Sequence, residues 1–348
     1  MSDREAHLRV AAVQMDAQVG AVEANLAHAT TLVDQAVAQG ARLVVLPELF
    51  NTGYEYSSHN YELPEEMDGP TATWIAQTAR RLDVHLVGSF PARIGGSLYI
   101  VAMLAAPDGR RWTYRKIHVA MWENCYFGRG SEPVIADTDL GRIGLLICWD
   151  QVFADLARAY QGHIDLLCIP SSPPTWLGTL EDGNQHALVR TRELRSFGHR
   201  LDGVDWFERA QGLQARTAGV PVVYAARCGT FYSAIPYGSY FLLTLRLKEA
   251  IRVMRAVGTR YLLRCPMMGR SSILNAQGMR IASTGQDGEV VLVSSVQPGP
   301  PDPATLPPVP RGAFLVPGIP ASQRLFDDTM VLWGRRYRKR HAPKQADI

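Results

Sequence analysis

Apolar and polar positions alternate along this chain in two rhythms. From Val22 the apolar residues Val22, Leu26, Ala29, Val33 and Val37 recur at helical spacing, and Gly40 stops the run. The flanking stretches 8–15 and 42–48 are almost continuously aliphatic and predict buried strands, the second ended by Pro47. A helix over 71–82 and a strand over 84–90 follow. Two strand-like runs, 97–106 and 110–118, flank a Pro-Asp-Gly turn at 107–109. Strand 141–148, helix 151–160 and strand 164–170 continue the series. This alternation predicts an α/β fold whose sheet is covered by helices.

Past residue 175 the rhythm loosens. Residues 176–208 are polar, charged and helix-like, 219–229 returns to strand, and 271–283 reads as a hairpin turning at Asn275–Gly278. The run ending at Val296 predicts the last core strand. A domain over 1–296 is therefore expected, followed over 297–348 by a proline-rich linker and a basic C-terminal tail containing Arg-Arg-Tyr-Arg-Lys-Arg (335–340). Within 240–263 a helical wheel puts Leu243, Leu247, Ala250, Ile251, Met254 and Val257 on one face. Lys248, Glu249, Arg252 and Arg255 take the other. Packing on its own domain is the first expectation for this segment, and peripheral contact with an anionic membrane the second.

Composition narrows the function. The 348 residues carry a net charge of only +3, which excludes the strongly positive field of a nucleic-acid binder. The five cysteines (125, 148, 168, 228 and 265) form no CxxC pair, which points to free thiols in a reducing cytoplasm and away from structural zinc. The charged N-terminus lacks a signal-like apolar region, and no window is apolar for the roughly 18 residues of a spanning helix.

Three reactive side chains then stand where apolar strands stop: Glu48, Lys116 and Cys148. Carboxyl ends of strands are where α/β sheets bind ligands. Together the three form a coherent set. A thiol titrating near 8.5 needs a base or a positive field, and Glu48 supplies one and Lys116 the other. Lys116 and the backbone N–H of Trp149 are candidate donors to an oxyanion. Taken singly, each has a structural reading: core filler for Cys148, a rim charge for Lys116, a strand-end carboxylate for Glu48.

The wording around these residues resembles a known family. Leu-Val-Val-Leu-Pro-Glu-Leu-Phe (43–50), Tyr-Arg-Lys-Ile-His-Val (114–119) and the segment 143–158 around Cys148 are similar to the signature segments of the nitrilase, or carbon–nitrogen hydrolase, superfamily. The resemblance implies an α-β-β-α sandwich, a catalytic set of Glu48, Lys116 and Cys148 with a second glutamate at Glu123, and no metal or cofactor. It also implies a homodimer paired through the helices beside the cysteine, whereas residues of about 178–208 and 230–268 exceed what that family carries between its core elements and read as inserts. Asp150 after Cys-Trp resembles the amidase and N-carbamoylputrescine amidase-like branch, which implies a small-molecule amide or N-carbamoyl amine substrate. Nitrile hydrolysis, amide-forming acyl transfer and a silent scaffold stand as alternatives. Asp150 itself is expected to fix the turn through backbone hydrogen bonds. Tyr54 and Trp176 are the candidate pocket walls.

Overall fold

In the computed structural model, which describes residues 7–184, 186–194, 203–238, 242 and 245–343, strand β1 (Leu8–Gln14) is buried at every position except Arg9. It belongs to a seven-stranded sheet with β2 (Leu43–Val45), β3 (Glu65–Glu66), β4 (His85–Ile94), β5 (Ser97–Ala105), β6 (Arg111–Arg115) and β17 (Val290–Val296). The spatial order is β17-β1-β2-β4-β5-β6, with β3 beside β4. A second sheet runs β16-β15-β12-β9-β8-β7. Its members in chain order are β7 (Ile135–Thr138), β8 (Gly141–Leu145), β9 (Leu166–Ser171), β12 (Val222–Ala226), β15 (Ser272–Leu274) and β16 (Arg280–Ser283).

Side chains on a strand alternate faces, and β1 shows how this builds the layers. Val10 and Ala12 face the second sheet and share a core with Leu145, Ile169 and Tyr224. Ala11 and Val13 face outward, onto Ala29 and Val33 of α1 (Val22–Ala38) and Ile75 and Ala79 of α3 (Pro70–Leu82); the four-residue α2 (His59–Glu62) lies between those helices in the chain. Helices α4 (Ala154–Tyr160) and α5 (Gly203–Ala218) cover the other side, giving the expected helix–sheet–sheet–helix sandwich. Strands β1, β2 and β4 are parallel, as are β8, β9 and β12.

The irregular middle of the chain corrects two expectations. Residues 176–208 are not helical as a whole: their described part holds β10 (Thr179–Glu181), β11 (Ala187–Arg190) and a single helical turn Thr191–Glu193, besides the start of α5, and 195–202 lie outside the described residues. Residues 240–263 are not one helix either. The described helix α6 (Leu247–Val257) begins after a break at 245–246 and is closed by Gly258 at φ 72°, and the chain then enters β14 (Leu262–Pro266). The buried side of α6 is centred on Val253 and Val257, while Leu247 and Met254, placed with Val257 by the wheel, are exposed. Leu243 lies outside the described residues. With β13 (Thr230–Ala234) these pieces form a third sheet, β11-β10-β14-β13, so both inserts fold into one unit. Beyond the proline-rich segment, 335–340 forms part of a 21-residue helix, α7 (Ala321–His341). Among the described residues no helix is long and apolar enough to cross a membrane.

Candidate active site

Glu48 follows β2, and the backbone turns sharply there, with Leu49 at φ 51°. Ser172, just past β9, fixes it by donating its N–H to Oε2 at 3.0 Å and its hydroxyl to the Glu48 carbonyl at 2.5 Å. Lys116 continues β6 and donates its own N–H to Ile100. Its ammonium donates to Glu48 Oε1 at 2.6 Å and to Glu123 Oε2 at 2.7 Å and Oε1 at 3.0 Å. Glu123 comes from the one-turn helix Met121–Cys125, where its Oε2 also accepts the Ala120 N–H at 2.8 Å. All three charged groups are buried. Charges removed from water persist only when paired and hydrogen-bonded, as these are.

Cys148 ends the run from β8 and opens the tight helical turn Cys148–Val152. Its φ of 50° is a conformation that residues with a Cβ rarely adopt. Asp150 holds this turn: it accepts from Ile147 N at 3.0 Å, from His118 N at 2.7 Å and from the Tyr114 hydroxyl at 2.8 Å. The expected turn-fixing role is thus present, and it extends further, because the same carboxylate ties the Cys148 turn to the segment carrying Lys116.

The electrostatics follow from burial. Glu48 is pushed up to about 7 by desolvation; Lys116 and the Cys148 thiol pull it down, and Glu123 pushes it up. Burial alone would lower Lys116, but Glu123 and Glu48 overcome this and hold it well above its usual value. Burial beside Glu48 raises the Cys148 thiol far above its ordinary value, with Lys116 opposing. The resting site therefore holds a neutral thiol, a fixed ammonium and a carboxyl poised between its two forms at neutral pH.

Around these groups stands an aromatic wall. Tyr54 donates its hydroxyl to Glu123 Oε1 at 2.7 Å and meets the Tyr56 hydroxyl at 3.0 Å. Phe231, on β13 of the inserted sheet, packs on Tyr54, Tyr56 and Trp176. Trp176 packs in turn on Trp122, next to Glu123. Glu48, Lys116, Glu123, Cys148 and Tyr54 thus converge, and Trp176 lies in the wall. Trp149 differs, because its indole turns away onto Phe153, Trp206 and Phe207. Only its backbone N–H, in the first turn of the short helix, stays beside the sulfur; such N–H groups lack partners within their helix. The sequence reading placed 51–61 in the pocket wall without singling out Tyr56, and it missed Trp122 and Phe231. The aromatic density of 54–61 and 122–127 signals the first two, whereas nothing local marks Phe231.

The match to the carbon–nitrogen hydrolase family model runs over residues 9–299. The chain belongs to the carbon–nitrogen hydrolase family. Among curated relatives of this chain, a chloroplastic omega-amidase of Arabidopsis thaliana is 33% identical over 165 residues, 42% of this chain and 44% of that protein. A nitrilase of Pyrococcus abyssi is 35% identical over 155 residues, 43% of this chain and 59% of that one. Each alignment spans less than two-thirds of the relative's length. The carbon–nitrogen hydrolase fold is also that of Nit3 from Saccharomyces cerevisiae, a member of branch 10 of the nitrilase superfamily. It has a TM-score of 0.60 and 19% identity over 84% of this chain and 90% of that one.

Proposed function

We propose that this protein is a thiol amidohydrolase that cleaves a linear, non-peptide amide or N-carbamoyl amine through an acyl-enzyme on Cys148. The observation that carries the reading is the buried Glu48–Lys116–Glu123 network beside a thiol on a strained turn. The omega-amidase relative supports the reaction class.

The chemistry follows the geometry. As Cys148 Sγ attacks the carbonyl carbon, its proton passes to Glu48 and the carbonyl π electrons move onto oxygen. The Lys116 ammonium and the Trp149 N–H stabilise that oxyanion. When it collapses, the C–N bond breaks and Glu48 returns the proton to the departing nitrogen, so ammonia or an amine leaves. Glu48 then takes a proton from water, the resulting hydroxide attacks the thioester, and the thiol leaves with that proton restored. Glu123 holds Lys116 in place, and Tyr54 holds Glu123. The aromatic wall fits a small acyl group with an apolar face.

The test is intact-mass detection of adducts across a panel of amides, N-carbamoyl amines and nitriles. Wild type is expected to gain the acyl mass on Cys148 and release ammonia or amine. Cys148→Ala is expected to do neither while keeping its circular dichroism spectrum. Turnover that survives Cys148→Ala overturns the proposal.

A further inference from the structure

The C-terminal helix α7 lies beyond the family-matched residues 9–299, yet it packs on the turn that carries Glu123. The closest approach is at Gly334. A Cβ there would meet the Asn124 carbonyl oxygen at 2.1 Å, so the helix backbone rests directly on that peptide. Glycine inside a helix costs about 1 kcal/mol relative to alanine, which makes the close approach the physical reason for it. One turn later, the Arg338 guanidinium donates to the Asn124 carbonyl and to the Phe127 carbonyl at 2.8 Å. These two carbonyls lie at the end of the Glu123 turn, where backbone acceptors have no partner within the helix. Tyr337 adds an edge-on ring contact with Tyr126.

We infer that α7 is a clamp on the catalytic site. Arg338 and Gly334 fix the loop of Glu123, and Arg338 is a positioning residue for the acyl-transfer reaction. This inference rests on the amidohydrolase reading above. It gives work to a segment whose composition alone suggested a solvated tail. Glu123 sets Lys116, Lys116 sets the oxyanion site, and a displacement of about 1 Å in such a set costs up to about 100-fold in rate.

The experiment measures acylation of the full-length protein by p-nitrophenyl acetate, following the burst of p-nitrophenolate and the acetyl mass on Cys148. Arg338→Ala is expected to slow the burst about tenfold, and millimolar guanidinium chloride to restore most of it by refilling the site. A purely stabilising arginine would lower the melting temperature and leave the burst rate of folded protein unchanged. A burst within twofold of wild type thus overturns the clamp at Glu123, as does a slow burst that guanidinium fails to rescue. If Arg338→Ala does not fold, Arg338→Lys replaces it: an intermediate burst supports the clamp and a wild-type burst overturns it. No Cys148-dependent burst in wild type would instead overturn the amidohydrolase reading.

Discussion

Replacing Glu48 by glutamine is expected to abolish turnover and also to make the protein more stable in alkaline solution. Buried Glu48 titrates at about 7, against an ordinary value of 4.5. The fold therefore binds that proton more tightly than the unfolded chain does, by about 3 kcal/mol at roughly 1.4 kcal/mol per pH unit. Below pH 4.5 both states are protonated and the difference has no effect. As pH rises towards 7 the unfolded chain has already released its proton while the fold retains it, so each step in pH favours unfolding. Above 7 the loss is complete. Glutamine resembles the neutral acid in shape and carries no such proton, and Lys116 keeps its second partner, Glu123. The stability of Glu48→Gln relative to wild type should then climb by about 3 kcal/mol between pH 4.5 and pH 8. Guanidinium titrations followed by tryptophan fluorescence at several pH values measure it, and kcat/KM of wild type should rise with pH through about 7. A difference that stays flat, or that falls with pH, would refute the reasoning: the carboxylate would then be a net stabilising partner of Lys116 rather than a strained base.

Three further outcomes are expected. Asp150→Asn leaves one carbonyl oxygen to serve donors now shared by two carboxylate oxygens, and its amide meets at least one of them N–H to N–H. Chemical denaturation should show a loss of about 1–3 kcal/mol, and kcat should fall because the Lys116 and Cys148 segments lose their tie. Phe231→Ala removes a fully buried ring from the aromatic wall; about 3–5 kcal/mol of stability should go, with KM rising more than kcat falls. Tyr54→Phe takes one donor from Glu123, and a melting curve should show a loss corresponding to about 1.5–3 kcal/mol.

The layers and the reactive set were legible because each rests on a local rule. β1 is continuous in aliphatics because both its faces are buried, and Gly40 follows the last turn of α1 at φ 84°. Glu48, Lys116 and Cys148 stand at chain positions where strands give out, which the apolar pattern marks directly. The third sheet was hidden for the opposite reason. Its strands are short, and β10 finds β14 across about eighty residues, a pairing with no local trace. The wheel over 240–263 misled because it asked only about period: Gly258 ends the helix, and the next strand is decided by its distant partner. The contacts of α7 were invisible too, since Gly334 and Arg338 act on carbonyls that any sequence would supply.

The pairing of β10 with β14 ties together two excursions that leave the sandwich at different points. Neither is a free graft. Removing the first would strip β14 along one side, and removing the second, which carries both β13 and β14, would bare β10, in each case leaving an open edge that invites another chain. Any chimera with a plainer relative must exchange both excursions at once, and with them Phe231, the ring that a strand of this sheet lends to the aromatic wall.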